Sequence, residues 1–368
     1  MGRRVFFLLL LSQTFVLWGG VAADDISPAG SVPKPFTDSL PPATPVHSED
    51  QGNDKVEIEL DERGDAKVLE DGDEDEDTIL VNYKSKYQHF WIYDALDDDG
   101  GYSKQLYIEG QLQSSTRDEY VYHESLVHPV MLAHPSPKRV VILGGGEGAT
   151  LRTVLSHRTV EKCSMVELDR AIIEQCNKHM PEMNDGAFTS PRSELLISDA
   201  YKFAKKYAKS GKPKYDVAIM DILDPEDIVI ANNSAAAHLY EDRFFKYISQ
   251  RLLTDDGVFV MQAGGTSAIG SYFEQKFDLI EAMLSRYFED VLRYMVYVPS
   301  FSAEWSFLLG CKKAADCRRI SLHSHENVMG YIKAEMKARG VPAKNRKFYD
   351  HITHFRLFSM PPSLRRDD

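Results

Sequence analysis

From Arg139 onward, apolar runs of strand length alternate with amphipathic helical stretches, and this alternation narrows the fold more than any other feature of the chain. Val140–Leu143 reads as a first strand, with a helix expected to begin near Ala149. Cys163–Val166 and Leu195–Ile197 read as strands trailed by helices. Val217–Met220 and Val258–Met261 add two more strands, and a long helix is expected over about Ile269–Tyr287. A short run that is apolar throughout suits a strand buried on both faces, and repeated strand–helix units lay such strands side by side in one direction. The pattern predicts an α/β fold with a parallel, doubly wound sheet over residues 128–368. Sheets of this kind bind ligands in the crevice beyond the carboxyl ends of their strands, so the polar residues at those ends are the ones to weigh.

The chain ahead of this domain divides into three parts. Residues 79–127 hold the β-rich runs Ile79-Leu80-Val81, Phe90-Trp91-Ile92-Tyr93 and Gln105-Leu106-Tyr107-Ile108, split by turn residues such as Asp97–Gly101, and predict a small antiparallel module. Residues 24–78 are first proline-rich and then acidic, with few large apolar side chains, so disorder is expected there. Glu49–Thr78 carries fifteen Asp or Glu against three Lys or Arg, so −12 of the formal −13 charge sits in this tract and the remainder carries about −1. The folded body therefore has neither a general acidic surface nor the basic patch of a nucleic-acid binder. Residues 1–23 have Arg3 and Arg4, an apolar run from Val5 to Trp18, and small residues Val21-Ala22-Ala23, the layout of a signal peptide or leader. Ser12, Gln13 and Thr14 interrupt the run, which falls short of the roughly 20 apolar residues of a membrane span. A soluble protein of the secretory pathway or an organelle is the expectation, with an uncleaved anchor as the alternative. Cys163, Cys176, Cys311 and Cys317 show no C-x-x-C pair and are read as buried free thiols, a Cys311–Cys317 disulfide staying open for a secreted chain.

The strand ends carry the chemistry. Gly144-Gly145-Gly146-Glu147-Gly148 follows the first strand, and glycines allow a sharp turn that a ligand can approach with no Cβ in the way. By itself that turn leaves nucleotide binding and plain loop geometry equally open. The second strand ends in Glu167, about 20 residues after the glycine turn, where an acid typically hydrogen-bonds ribose hydroxyls. The third ends Ser198-Asp199-Ala200; Asp199 either caps the next helix or accepts from an adenine amino group, and the sequence favours neither. The fourth ends Met220-Asp221-Ile222-Leu223-Asp224-Pro225, a D-x-x-D-P run. Like charges this close raise one another's pKa, which suits proton acceptance and cation binding, a loop cap being the alternative. Upstream, Gln88 and the stretch Glu119–Glu124 set polar groups among aromatics. His123, His128 and His134 match no standard ligand spacing and are read as non-metal.

Taken together these residues resemble the polyamine aminopropyltransferases, the thermospermine synthase branch more closely than plain spermidine synthases. The similarity runs from about Ser85 to Leu364. Ser85-Lys86-Tyr87-Gln88 is similar to that family's S-[KR]-Y-Q strand, and Asp118–Glu124 to its D-E-x-x-Y-x-E segment. Glu147 in VILGGGEGATLR stands where spermidine synthases usually carry Asp, and Phe301, followed by Trp305, stands near their Tyr. The resemblance implies a Rossmann-like, methyltransferase-type sheet in the catalytic domain. It also implies a donor site for decarboxylated S-adenosylmethionine built from Gln88, Gly144, Gly145, Gly146, Glu147, Glu167, Asp199 and Ala200, with Tyr122 and His123 where the two substrates meet. Asp221 would accept the proton, Asp224 would bind an ammonium group of the polyamine, and Phe301, lacking a hydroxyl, would favour spermidine over putrescine. No metal is implied, and the family's habit implies a homodimer through the β module. The loop Glu226–His238 departs from the usual glycine-proline gate and contains a glycosylation sequon at Asn232. Three other readings stay open: a spermidine synthase using putrescine, an S-adenosylmethionine-dependent methyltransferase on the same sheet, and a polyamine-binding relative without turnover.

Overall fold

The computed structural model describes residues 77–97, 100–223, 237–266, 271–321, 325–341, 343, 346–361 and 364. The leader, nearly all of the acidic linker, Asp224, Pro225 and the Asn232 sequon lie outside the described residues.

The N-terminal module is a four-stranded antiparallel sheet in the order β1-β2-β3-β4: Thr78–Lys84, His89–Leu96, Tyr102–Ile108 and Gln111–Ser115. Three of these strands hold the apolar runs read from the sequence. The fourth, Gln-Leu-Gln-Ser-Ser, has no such run and is set by pairing with β3. One face of the module is apolar: Phe90, Ile92 and Leu106 are fully buried and form one cluster with Ile172 and Cys176.

The larger sheet has seven strands in the order β10-β11-β9-β8-β5-β6-β7. β5 (Arg139–Gly144), β6 (Lys162–Glu167), β7 (Ser193–Ile197), β8 (Tyr215–Asp221) and β9 (Leu253–Thr266) run parallel, as the strand–helix alternation predicts. Helices α2 (Ala149–Leu155), α3 (Arg170–His179) and α5 (Ala200–Tyr207) follow β5, β6 and β7, with a short α4 (Pro181–Asn184) between. The sheet is mixed rather than wholly parallel, because β10 (Asp290–Val298) and β11 (Ala303–Cys311) add an antiparallel hairpin beside β9. β10 alternates buried and more exposed positions, the signature of a strand near a sheet edge, so it lacks the continuous apolar run that marked the other strands. The helix expected over about Ile269–Tyr287 is Ser271–Leu284.

Strand order reverses between β5 and β8, which pair so that Gly144 faces Asp221. This is the switch point at which such sheets open a crevice. Against it lies α1 (Glu119–Ala133), buried at fourteen of its fifteen positions and packed on β8, β9, β10 and β11 as well as α2. It is buried nearly all round even though Glu119, His123, Glu124, Ser125 and His128 are polar. It runs without a break through residues 127 and 128, the boundary drawn from the sequence, and its packing belongs with the larger sheet. The carboxylate of Glu124 on α1 accepts the backbone N–H groups of Lys347, Phe348 and Tyr349, which ties the C-terminal segment to this helix.

Cys311 and Cys317 form a disulfide across a Cα–Cα distance of 5.7 Å, so two of the four cysteines are not the free thiols expected; Cys163 and Cys176 are free and buried. This is the pairing that the sequence left open; the six-residue separation puts the first cysteine at the end of β11 and the second in the helix that follows. Among the described residues no helix is long and apolar enough to cross a membrane.

Candidate active site

The glycine turn is forced by its surroundings. Gly144 has φ +90°, and a Cβ there would stand 1.9 Å from the carbonyl oxygen of Asp221. Only a residue without a side chain lets β5 end so close to β8. The Gly145 N–H then donates to that same carbonyl at 2.8 Å, which locks the end of β5 to the end of β8. Gly148, φ +89°, closes the turn against Asn184 and Phe188 and starts α2.

Above these ends lies a cleft of about 760 Å³. Gln88, Tyr122, His123, Gly144, Gly145, Gly146, Glu147, Glu167, Asp199, Ala200, Asp221 and Phe301 all line it, so every site residue read from the sequence that falls among the described residues comes to one place. The β module supplies one wall and the carboxyl ends of β5, β6, β7 and β8 the floor. The volume is in the range of small-molecule sites.

Asp221 sits at the centre. Its two carboxylate oxygens accept from the Tyr122 hydroxyl at 2.8 Å and the Thr150 hydroxyl at 2.6 Å. The side chain touches the open cleft but is otherwise surrounded by protein, and burial pushes its pKa up; the negative charge of Glu147 adds to this, while His123 and the two hydroxyls oppose it. Thr150 was not marked by the sequence: it follows the glycine turn in the first turn of α2, and only the β5–β8 pairing shows that this brings it to Asp221.

His123 is held from both sides. Its Nδ1 lies 2.8 Å from the backbone carbonyl and 3.0 Å from the carboxylate of Glu119, and its Nε2 lies 2.9 Å from Glu147. Arg152 donates to the same Glu119 carboxylate at 2.7 Å. Burial works against a charge on the ring, yet the hydrogen bonds and charges of Glu119 and Glu147 raise its pKa to about 10. Burial likewise works against Glu119, whose pKa the His123 and Arg152 partners nevertheless lower to about 2. His123, Glu147 and Asp221 each turn one ligand-type atom to a common point, all within 4.8 Å of one another. The Nε2 of His123 is taken by Glu147 and its Nδ1 by Glu119, so the ring lies between two glutamates.

At the end of β6, Glu167 accepts the backbone N–H of Asp169 at 2.9 Å, and its enclosed position pushes its pKa to about 7 against that hydrogen bond. Asp169 caps α3 and also takes the Ser85 hydroxyl at 2.6 Å and the Gln88 amide at 3.3 Å, which anchors Ser85–Gln88 to the larger sheet; these four residues form the turn between β1 and β2 rather than the strand expected. Asp199 makes the cap that one sequence reading assigned it: it caps α5 by accepting the Lys202 N–H at 2.8 Å, and its other oxygen pairs with His238 at 3.2 Å. At the opposite end of the cleft, Phe301 and Trp305 pack as a tilted pair, 4.7 Å between centroids and 54° between planes, and Phe301 meets Tyr122 edge-on at 6.1 Å. The Gln262 side chain bridges the Ile222 carbonyl and the Gly264 N–H, each at 2.8 Å, and completes this aromatic end.

The sequence and the fold both have relatives. Residues 119–321 match the spermine/spermidine synthase domain. A polyamine aminopropyltransferase of Pyrobaculum aerophilum is 39% identical over 283 residues, covering 77% of this chain and 88% of the relative. The polyamine aminopropyltransferase of Pyrobaculum calidifontis is 38% identical over 278 residues, with 76% and 87% covered. Among solved structures, a spermidine synthase in complex with the transition-state analogue AdoDATO superimposes with a TM-score of 0.63 at 26% identity, covering 78% of this chain and 88% of that one. With the sheet order, the cleft and these relatives in agreement, the chain belongs to the spermine/spermidine synthase family, the polyamine aminopropyltransferases.

Proposed function

We propose that the protein moves the aminopropyl group of decarboxylated S-adenosylmethionine onto a polyamine, with spermidine favoured over putrescine, and releases methylthioadenosine. The observation that carries this is Asp221, a carboxylate of raised pKa aimed into the cleft by Tyr122 and Thr150. The attacking amine resembles lysine, with a reference pKa near about 10, and arrives protonated. Asp221 takes that proton, the freed lone pair forms the new C–N bond, and the C–S bond breaks with its electrons returning to sulfur. The sulfonium already activates the carbon, so alignment does most of the rest.

In this reading Glu147 receives the donor's ammonium group and repels the extra carboxylate of ordinary S-adenosylmethionine, which weighs against methyl transfer. Glu167 takes the ribose hydroxyls, and Asp199 with Ala200 the adenine edge. Gln88 lines the donor's wall, and the glycine turn gives its backbone. Asp224 would anchor a further ammonium of the acceptor. The tilted pair of Phe301 and Trp305 offers no hydroxyl to a short diamine and an apolar wall to the methylenes of a longer one. A homodimer through the β module belongs to the same reading. Incubating the purified protein with the decarboxylated donor and putrescine, spermidine or spermine in turn, then separating the products, tests it. Methylthioadenosine with a new tetraamine from spermidine is the expected result. Transfer only from intact S-adenosylmethionine, or none to any amine, would sink it.

A further inference from the structure

The ring of His123 presents a protonation problem whose answer lies one helical turn away. Its Nδ1 faces the backbone carbonyl of Glu119 at 2.8 Å, an acceptor that cannot ionise or rotate away, so this nitrogen carries a proton in every state of the ring. In a neutral imidazole the other nitrogen, Nε2, would then be a bare lone pair pointed 2.9 Å at the Glu147 carboxylate, two acceptors in contact. Only the imidazolium lets Nε2–H donate to Glu147. A second negative charge is therefore needed behind the ring, and Glu119 supplies it at 3.0 Å, its own carboxylate held by Arg152 at 2.7 Å. Glu119 is 6% exposed and His123 2%, so water does not screen this pair.

We infer that Glu119 is a positioning residue for the donor's ammonium group: by keeping His123 doubly protonated, it makes the ring hold the Glu147 carboxylate in place at the cleft. This rests on the proposed donor site. Glu119 does not line the cleft and touches no substrate; it acts through His123. The groups that face the ring are Glu119 from its own helix, Glu147 from the glycine turn, Asp221 from β8 across the cluster, and Arg152 of α2 behind Glu119. Tyr122 packs edge-on against the ring at 5.0 Å. The three carboxylates favour its charge and the arginine opposes it. The balance keeps the ring charged up to about pH 10.

Glu119→Gln is the informative change, because it removes the charge while keeping an oxygen of the same size for Arg152. Binding of decarboxylated S-adenosylmethionine and of methylthioadenosine, which lacks the aminopropyl ammonium, is measured by calorimetry on the full chain from about pH 6.5 to about pH 9. Glu167, pushed to about 7 and proposed to hold the ribose that both ligands share, titrates in this range, so donor affinity is read relative to that of methylthioadenosine at each pH. In the parent that ratio is expected to stay constant. In Glu119→Gln it is expected to fall about tenfold as the pH rises, the scale of one charge-assisted hydrogen bond, while methylthioadenosine binding follows the parent's profile. Adding His123→Gln, whose amide cannot titrate, is expected to flatten the ratio again. A constant ratio in Glu119→Gln overturns the inference, as does a parallel loss of methylthioadenosine binding or a pH dependence of the ratio that survives in the double variant. Should the variant fail to fold, nitrogen NMR of the parent's His123 ring decides: double protonation throughout the range is expected, and a neutral ring at about pH 8 overturns it. If the parent binds neither ligand, the proposed function fails first and the inference with it.

Discussion

Replacing Asp221 with Asn separates proton acceptance from everything else that this residue does. The amide has the same size, and the hydroxyls of Tyr122 and Thr150 that now donate to the two oxygens, at 2.8 and 2.6 Å, lose one acceptor between them. A hydroxyl can turn to accept from the new NH₂, so the structural cost is at most about 1 kcal/mol, and the removal of a carboxylate whose charge burial disfavours offsets it. The melting temperature should therefore hold. The Gly145 N–H bonds to the backbone carbonyl of residue 221, so the β5–β8 lock is untouched. A general base contributes about 10²- to 10⁴-fold to a rate, and at about 1.36 kcal/mol per decade Asp221→Asn should raise the barrier by about 3 to 5 kcal/mol. Methylthioadenosine release at saturating donor and acceptor measures kcat, and calorimetry measures donor affinity. A kcat lowered by at least about a hundredfold with donor affinity within about threefold is the expected pair. The parent's rate should also fall as pH drops through the raised pKa of Asp221, since a protonated acid cannot accept; the residual rate of the variant should lack that limb. A correctly folded Asp221→Asn protein with kcat within tenfold of the parent would refute the assignment of the base.

Phe301→Tyr places a hydroxyl at the aromatic end of the cleft and should raise kcat/KM for putrescine relative to spermidine; an unchanged acceptor ranking, read from competition between the two amines, counts against the role given to this wall. His128 and His157, 2.9 Å apart and buried, should make the fold sensitive to acid. Burial, and after it the charge of Arg346, lowers His128 to about 3, and burial holds His157 well below its usual value. Below about pH 6.5 the unfolded chain therefore binds protons that the folded one refuses, and stability falls by up to about 1.4 kcal/mol per pH unit for each ring. Thermal melts between about pH 6.5 and about pH 4.5 should show this slope, and His157→Asn should make it shallower; equal slopes would show that the pair is not its source. On the β module, Leu96 and Tyr102 face each other across β2 and β3 and are 39% and 49% exposed, an apolar spot on one small sheet. If it joins two copies, Tyr102→Glu should halve the mass seen by sedimentation while leaving the melting temperature of the larger domain nearly unchanged.

Much of the site was legible because a parallel sheet brings strand ends together whatever lies between them. Gly144, Glu167, Asp199 and Asp221 are far apart in sequence, yet each ends or follows a strand, and that alone puts them at one crevice. Residues that act from inside a helix were harder to read. Thr150 and Arg152 stand in an ordinary amphipathic stretch, and their partners, Asp221 and Glu119, come from other elements. The place of Thr150 follows from pairing β5 with β8 and that of Arg152 from packing α1 against α2, and no periodicity encodes either. The same holds for β4 and the β10–β11 hairpin, where cross-strand pairing outweighs weak local preference. His123 was read as a ligand of the donor, a fair inference from its place beside Tyr122; the fold keeps it at the cleft but spends both of its nitrogens on glutamates.

That arrangement makes sense once the charge of the substrates is considered. In the proposed reaction both are cations, and the folded body outside the acidic linker carries only about −1, so selection of cations would have to be local. Unit charges at about 4 Å are worth only about 1 kcal/mol in water but about 4 kcal/mol at the effective dielectric of a protein site, so a few enclosed acids are enough. Enclosed acids repel one another, however, and in an empty cleft Glu147 drives Asp221 toward its neutral form. A neutral Asp221 could not accept a proton. The imidazolium of His123, lying against Glu147 and within 4.8 Å of Asp221, offsets that repulsion before any substrate arrives. A fixed cation inside a cation-binding cleft looks like an error of charge, but the ring faces the carboxylates of Glu119, Glu147 and Asp221, with only Arg152 opposing them. The ring's charge lowers the pKa of Asp221 against the burial and the Glu147 charge that raise it, toward the ionised form that the proposed proton acceptor needs.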